Sequence, residues 1–147
     1  MMLVLPLIFF FLLVLVDFGI ALDRREVLQH AVREGVRHAV VEGDIDEVKD
    51  YTVAQSQVDC GTGPDEVDCL TADDIEVCYL NMDGNTRSGD VGDNVRVKAN
   101  FTYRFSMGGG EIASALGVDS ALFNIDMNPS ADMALEKSVA GLPECAP

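Results

Sequence analysis

Four cysteines and two histidines are the residues best equipped for chemistry, and their spacing decides which chemistry is open to them. Cys60, Cys69, Cys78 and Cys145 could ligate a soft metal or pair with one another. A zinc site needs closely spaced Cys or His ligands. No C-x-x-C occurs here, and His30 and His38 lie well before the first cysteine. An even set of cysteines downstream of an apolar segment suggests two disulfides formed in an oxidising compartment. Three pairings are possible and the order of the residues does not choose among them. Cys60–Cys69 would close a short loop across Gly61-Thr62-Gly63-Pro64.

The remaining motifs fail on the positions their chemistry requires. G-x-S-x-G, the turn that exposes a nucleophilic serine, is absent. Gly108-Gly109-Gly110 is followed by no Lys-Ser/Thr, so it lacks the side chains of a phosphate loop. Asn81, Asp83 and Asn85 start like a calcium loop. The sixth position is Thr86 instead of Gly and the twelfth is Gly92 instead of Glu, so a turn is the better reading. Asn100-Phe101-Thr102 fits a glycosylation sequon but sits in the middle of a strand-like run. The chain is therefore read as no enzyme, with no cofactor and no metal.

The elements tell more than the motifs. Met1 to Val16 carry no charge and are almost wholly Leu, Val, Ile and Phe; Asp17-Phe18-Gly19, Ile20-Ala21-Leu22 and Asp23-Arg24-Arg25 follow. A bilayer core of about 30 Å takes roughly 20 apolar helical residues, so residues 1–22 are read as a transmembrane segment. A cleaved signal peptide fits less well: no Lys or Arg precedes the apolar run and no A-x-A site follows it. Asp17 marks the membrane edge or, as an intramembrane carboxylate, a functional contact. Arg24 and Arg25 would hold their side in the cytoplasm by the positive-inside rule, whereas the cysteines place it outside. Basic residues ahead of Met1 would resolve the conflict.

Residues 23–147 form the second unit. They hold all 10 Lys and Arg and 24 of the 25 Asp and Glu, within a whole-chain charge of −15. That acidity excludes nucleic-acid binding, which needs a basic footprint, and disfavours docking on anionic lipid. Over 23–42, Leu28, Val32, Gly35, Val36, Ala39 and Val40 recur at helical spacing and give one apolar stripe. Arg33 and Arg37 form an i, i+4 pair, with Glu34 in reach of His30 or Arg37. The apolar and amphipathic stretches together predict one rod of about 60 Å. Gly43-Asp44 stops it, with Asp44 capping a second helix from Ile45 to about Gln57.

Residues 59–74 read as loop. Ile75, Val77 and Tyr79 then alternate with Glu76, Cys78 and Leu80. Val95, Val97, Ala99, Phe101, Tyr103 and Phe105 alternate with polar residues, the cleanest period-two signal in the chain. Asp83-Gly84-Asn85 and Gly89-Asp90 supply turns between the two runs. Glu111 to Leu116 suggests a helical turn, residues 111–129 otherwise resist assignment, and Ala131, Met133 and Leu135 suggest a third strand. The tail from Gly141 reads as irregular, pinned by Cys145. The expected fold is α+β: a long N-terminal helix, a second helix at about 45–57, and a small antiparallel sheet at about 75–136. The sheet must cover its apolar face, and the stripe on residues 28–40 is the obvious partner.

In this order the features resemble the TadE-like pseudopilins, minor pilin-like proteins of bacterial tight-adherence pilus systems. Leu3-Val4-Leu5-Pro6 matches the family's L-V-L-P, and Asp17-Phe18-Gly19 stands where members carry Glu/Asp-Phe-Gly. Ala31-Val32-Arg33-Glu34-Gly35-Val36-Arg37 resembles A-x-R-E-G-x-R. Gly92 to Val97, Tyr103-Arg104-Phe105 and Pro129 to Glu136 look like the family's later strands. Aligned on Pro6, the family's Glu falls just before Met1 with the leader ahead of it, so upstream codons are expected to encode both.

The resemblance implies a pilus-assembly component that acts by helix packing. It would sit in the bacterial cytoplasmic membrane as a single-pass protein with its C-terminal domain outside. Its partners would be pilins, pseudopilins and the membrane platform proteins of the machinery, together with the lipid bilayer. Pro6, Asp17, Gly19, Arg33, Gly35 and Arg37 are the candidates for assembly contacts. The competing reading is a membrane-anchored extracytoplasmic binding module that uses the sheet as its recognition face.

Overall fold

A computed structural model describes residues 4–41, 44–58, 69–80, 91–104, 124–139 and 143–145. Helix α1 runs unbroken from Val4 to Val41, about 57 Å at 1.5 Å per residue. Pro6 falls in its first turn, where a missing N–H removes no intrahelical bond. Helix α2 spans Ile45–Ser56. Its cap is the expected one: the Asp46 N–H donates to Asp44 Oδ1 at 3.1 Å. Gln57 closes the helix in the left-handed region at φ 50.

The two helices pack along the apolar stripe of α1. Leu28, Val32, Val36 and Ala39 are buried there with Val48 of α2. His38 stacks on Tyr51 with ring centroids 4.3 Å apart and planes 17° from parallel. Gly35 is the point of closest approach. A Cβ on Gly35 would collide with Thr52 Oγ1 and lie 3.2 Å from Thr52 Cβ. Thr52 is fully buried, and its hydroxyl donates to the Val48 carbonyl at 2.7 Å.

A 3-10 turn at Ala72–Asp74 leads into β1 (Ile75–Leu80), followed by β2 (Asn94–Ala99), β3 (Phe101–Arg104), β4 (Asn124–Met127) and β5 (Ser130–Ala134). A three-stranded antiparallel sheet has the order β1-β2-β5, and β3 pairs with β4 in a separate two-stranded sheet. Register is set by inward apolar residues: Val77 opposes Val97, which in turn opposes Ala131. Val95, Val97 and Ala99 face the helices and are fully buried. The stripe on α1 does cover this sheet.

The structure corrects the reading in three places. The run expected as one strand from Val95 to Phe105 breaks at Asn100 and serves two sheets. The last bonds of the first sheet go from Asn100 N–H to the Asp74 carbonyl at 2.9 Å and from Ala99 N–H to the Pro129 carbonyl at 3.0 Å, just ahead of β1 and β5; from Phe101 on the chain pairs with β4 instead. Strand β4 lies in the stretch that resisted assignment. Among the described residues, finally, no helix is long and apolar enough to cross a membrane. The fully described apolar stretch from Ile8 to Leu22 spans only about 22 Å, is interrupted by Asp17, and ends at Asp23-Arg24-Arg25. Within the expected span over residues 1–22 one side chain is charged, Asp17, and the head of the protein buries it. The loop with Cys60, the calcium-like Asn81–Asn85, the turns at 83–90, Phe105, Gly108–Gly110 and the helical turn at 111–116 lie outside the described residues.

Candidate assembly surface

The N-terminal half of α1 is covered by no other element of the described fold. Leu5 is 74% exposed, Phe11 64% and Leu15 70%; Ile8, Phe9, Phe10, Leu12, Val14 and Val16 are exposed as well. Single exposed apolar residues are ordinary, but a contiguous patch of this kind marks an interaction surface. Water alone cannot leave it uncovered without a large free-energy penalty, since each such side chain is worth about 1.5–3 kcal/mol on burial.

Asp17 marks the junction between that bare surface and the folded head. It is only 3% exposed. Tyr103 Oη on β3 donates to Asp17 Oδ1 at 3.4 Å, and the next turn of α1 buries Ala21 in the same cluster as Phe101, Tyr103 and Met127. A buried carboxylate without hydrogen bonds is expensive, so the small β3–β4 sheet gives this end of the helix a defined seat. The candidate that sequence offered for contacts between helices therefore makes a contact within its own chain.

The other candidates separate cleanly. Gly35 packs on Thr52 of α2. Gly19 faces open space, with nothing within 4 Å of a Cβ built there. Arg33 and Arg37 are exposed on the outer side of α1. For Pro6 only the helical backbone is described.

The cysteines locate the C-terminal end. Cys78 of β1 is bonded to Cys145, a separation of 67 residues, and Cys69 is disulfide-bonded too. The tail runs parallel to β1 at one bridge: Tyr79 N–H donates to the Pro143 carbonyl and Cys145 N–H to the Tyr79 carbonyl, both at 3.0 Å. The pinning by Cys145 was expected; the added strand-like bridge had no signal in Pro143-Glu144-Cys145.

On the outer face of the sheet, Arg96 forks onto Asp132 with Nε–Oδ1 2.7 Å and Nη2–Oδ2 2.8 Å. The hydrogen bond from Arg96 holds the Asp132 carboxyl below its ordinary range, and the same bond raises Arg96. Lys98 pairs with Glu76 at 3.8 Å. Among the described residues no cluster of His, Cys, Asp and Glu could hold a metal ion.

The described fold is an α+β head fixed to one end of a long helix whose other end is exposed and apolar. The family model of the TadE-like proteins matches residues 1–37. The match points to a Tad pilus-associated protein and to membrane or surface association. All six candidate assembly residues, Pro6, Asp17, Gly19, Arg33, Gly35 and Arg37, fall inside it. The likenesses read in the strands at 92–97, 103–105 and 129–136 fall beyond it. No curated protein and no solved structure matches the chain.

Proposed function

We propose that this protein is a minor pilin-like component of a bacterial tight-adherence pilus, acting by helix packing and without catalysis. The observation that carries the reading is the bare apolar half of α1 within the stretch that matches the TadE-like family. Before assembly that half is held in the cytoplasmic membrane, with the disulfide-bonded head on the oxidising side. During assembly it packs among the equivalent helices of pilins and pseudopilins, handled by the membrane platform proteins of the machinery. Arg33 and Arg37, exposed above the junction, are the polar contacts available to a neighbouring subunit.

The test is deletion of the gene in its native host, with surface pili counted by electron microscopy. Loss of pili, restored by the wild-type gene but not by one carrying Leu12→Lys, is the expected result. A deletion strain with a normal number of pili would overturn the reading.

A further inference from the structure

A cavity of about 510 Å³ opens between α1 and the connection from β4 to β5. Its helix wall includes Phe18, Leu22, Arg25 and Gln29 beside the small Ala21. These positions are spaced i, i+4, i+7 and i+11 and so share one face of the helix. Read toward the C-terminus, that face changes from apolar to charged to polar over about 16 Å. Phe18 is 50% exposed and Leu22 46% exposed, so the apolar end of the groove continues into the bare surface of residues 4–16. The opposite wall includes Asp126, whose Oδ1 accepts from Thr102 Oγ1 at 2.8 Å and is thereby held at the cavity. Among the described residues no acid lies within ion-pair distance of Arg25.

We propose that this cavity is the seat of one phospholipid molecule with a zwitterionic ethanolamine headgroup. Its phosphate meets Arg25, its primary ammonium meets Asp126, and an acyl chain runs down past Leu22 and Phe18 onto the apolar half of α1. The polarity of the helix wall, apolar at Phe18 and Leu22 and polar from Arg25 on, suits a lipid with its acyl chain toward Phe18. One cation and one anion in a single cavity suit a zwitterion, whereas the strongly acidic chain repels an anionic lipid. A primary ammonium can donate hydrogen bonds to the Asp126 carboxylate; a quaternary choline cannot. The inference rests on the proposed membrane residence of the helix and says nothing of pilus formation.

The test is native mass spectrometry of the full chain released from nanodiscs of defined composition. In phosphatidylethanolamine discs the expected result is one lipid retained per chain. In phosphatidylcholine discs, where the headgroup keeps its charge but has no N–H to donate, retention falls about fivefold; with Arg25→Glu, which removes the charge contact to the phosphate, it falls at least about fivefold. Gln29→Trp, which fills the polar end of the cavity, lowers it similarly, and Lys137→Glu, an exposed charge reversal outside the cavity, leaves it unchanged. Circular dichroism identifies any variant that fails to fold, and the comparison of the two lipids on wild-type protein stands without variants. Equal retention of the two lipids, no retained lipid, or capture of a second copy of the chain by a photo-cross-linker placed at Phe18 would each overturn the assignment. Failure of the pilus reading would instead appear as a normal pilus count with lipid retention intact.

Discussion

The two halves of α1 belong to one unbroken helix, yet they solve opposite problems. From Leu28 to Val40 the apolar residues follow the helical period, and the stripe is buried by α2 and the sheet. From Val4 to Val16 apolar residues occupy every side of the helix, and apart from half-buried Leu13 the described side chains there are exposed. A stripe needs a partner on one side, which a small domain can supply. An apolar surface on all sides needs surroundings, which only lipid or several other helices can supply. Periodicity thus tells whether the partner lies within the chain or outside it, and Asp17 on Tyr103 is where one regime gives way to the other.

The largest expected effect breaks the upper half. Leu28 is fully buried between α2 and the sheet, so Leu28→Ala should destabilise the head by about 3 kcal/mol through lost burial and a cavity. Thermal unfolding of the full chain in detergent micelles, followed by circular dichroism, reads it. Gly35→Ala should come next, at about 1–3 kcal/mol of overpacking against Thr52, less up to about 1 kcal/mol regained from helix propensity. The Thr52 hydroxyl is tied to the Val48 carbonyl and cannot simply swing away. Adding Thr52→Ala to Gly35→Ala should recover most of the loss; a double variant no better than Gly35→Ala would show that the helices do not approach here.

A smaller effect lies on the outer face of the sheet. Asp132 titrates below its ordinary value because Arg96 hydrogen-bonds its charged form. A carboxylate depressed in the folded state stabilises the fold above its unfolded pKa, and that contribution is lost as pH falls through the folded value. Arg96→Gln should therefore lower stability at neutral pH by less than about 1 kcal/mol, since both groups are solvent-screened. The difference from wild type should fade below about pH 4 and in high salt. A difference that persists at pH 2 would show that packing of the arginine stem, and not charge, is responsible.

What the sequence made legible follows the same division. The stripe on residues 28–40, the Asp44 cap and the alternation of Val95-Val97-Ala99 are local patterns with one dominant cause each, and all three reappear. The break at Asn100 was hidden because alternation survives it: Ala99 and Phe101 are both buried while Asn100 points out. Only the partner strands change, from β1 and β5 before the break to β4 after it, and no local signal marks that exchange. Strand β4 is four residues long with polar Asn124 and Asp126, too little apolar pattern to register. Cysteine pairing and the seat of Asp17 depend on contacts across 67 and 86 residues, and no local signal encodes such contacts.

The smallest effect on the head is the most informative about the comparison. Leu15 has the same chemistry as Leu28 and sits on the same helix, but it is 70% exposed. Leu15→Gln removes no contact of the folded head, so its unfolding midpoint should shift by no more than the about 0.5 kcal/mol typical of surface substitutions. The same change puts an amide where lipid or neighbouring helices are proposed to be, and an unsatisfied amide in apolar surroundings costs about 2–7 kcal/mol. Alkaline carbonate extraction of host membranes should therefore release far more Leu15→Gln than wild-type protein, while Leu28→Ala, with its damaged head, stays bound. If Leu15→Gln unfolds the head as readily as Leu28→Ala does, the two halves are not separate. The lower helix would then be covered from within its own chain.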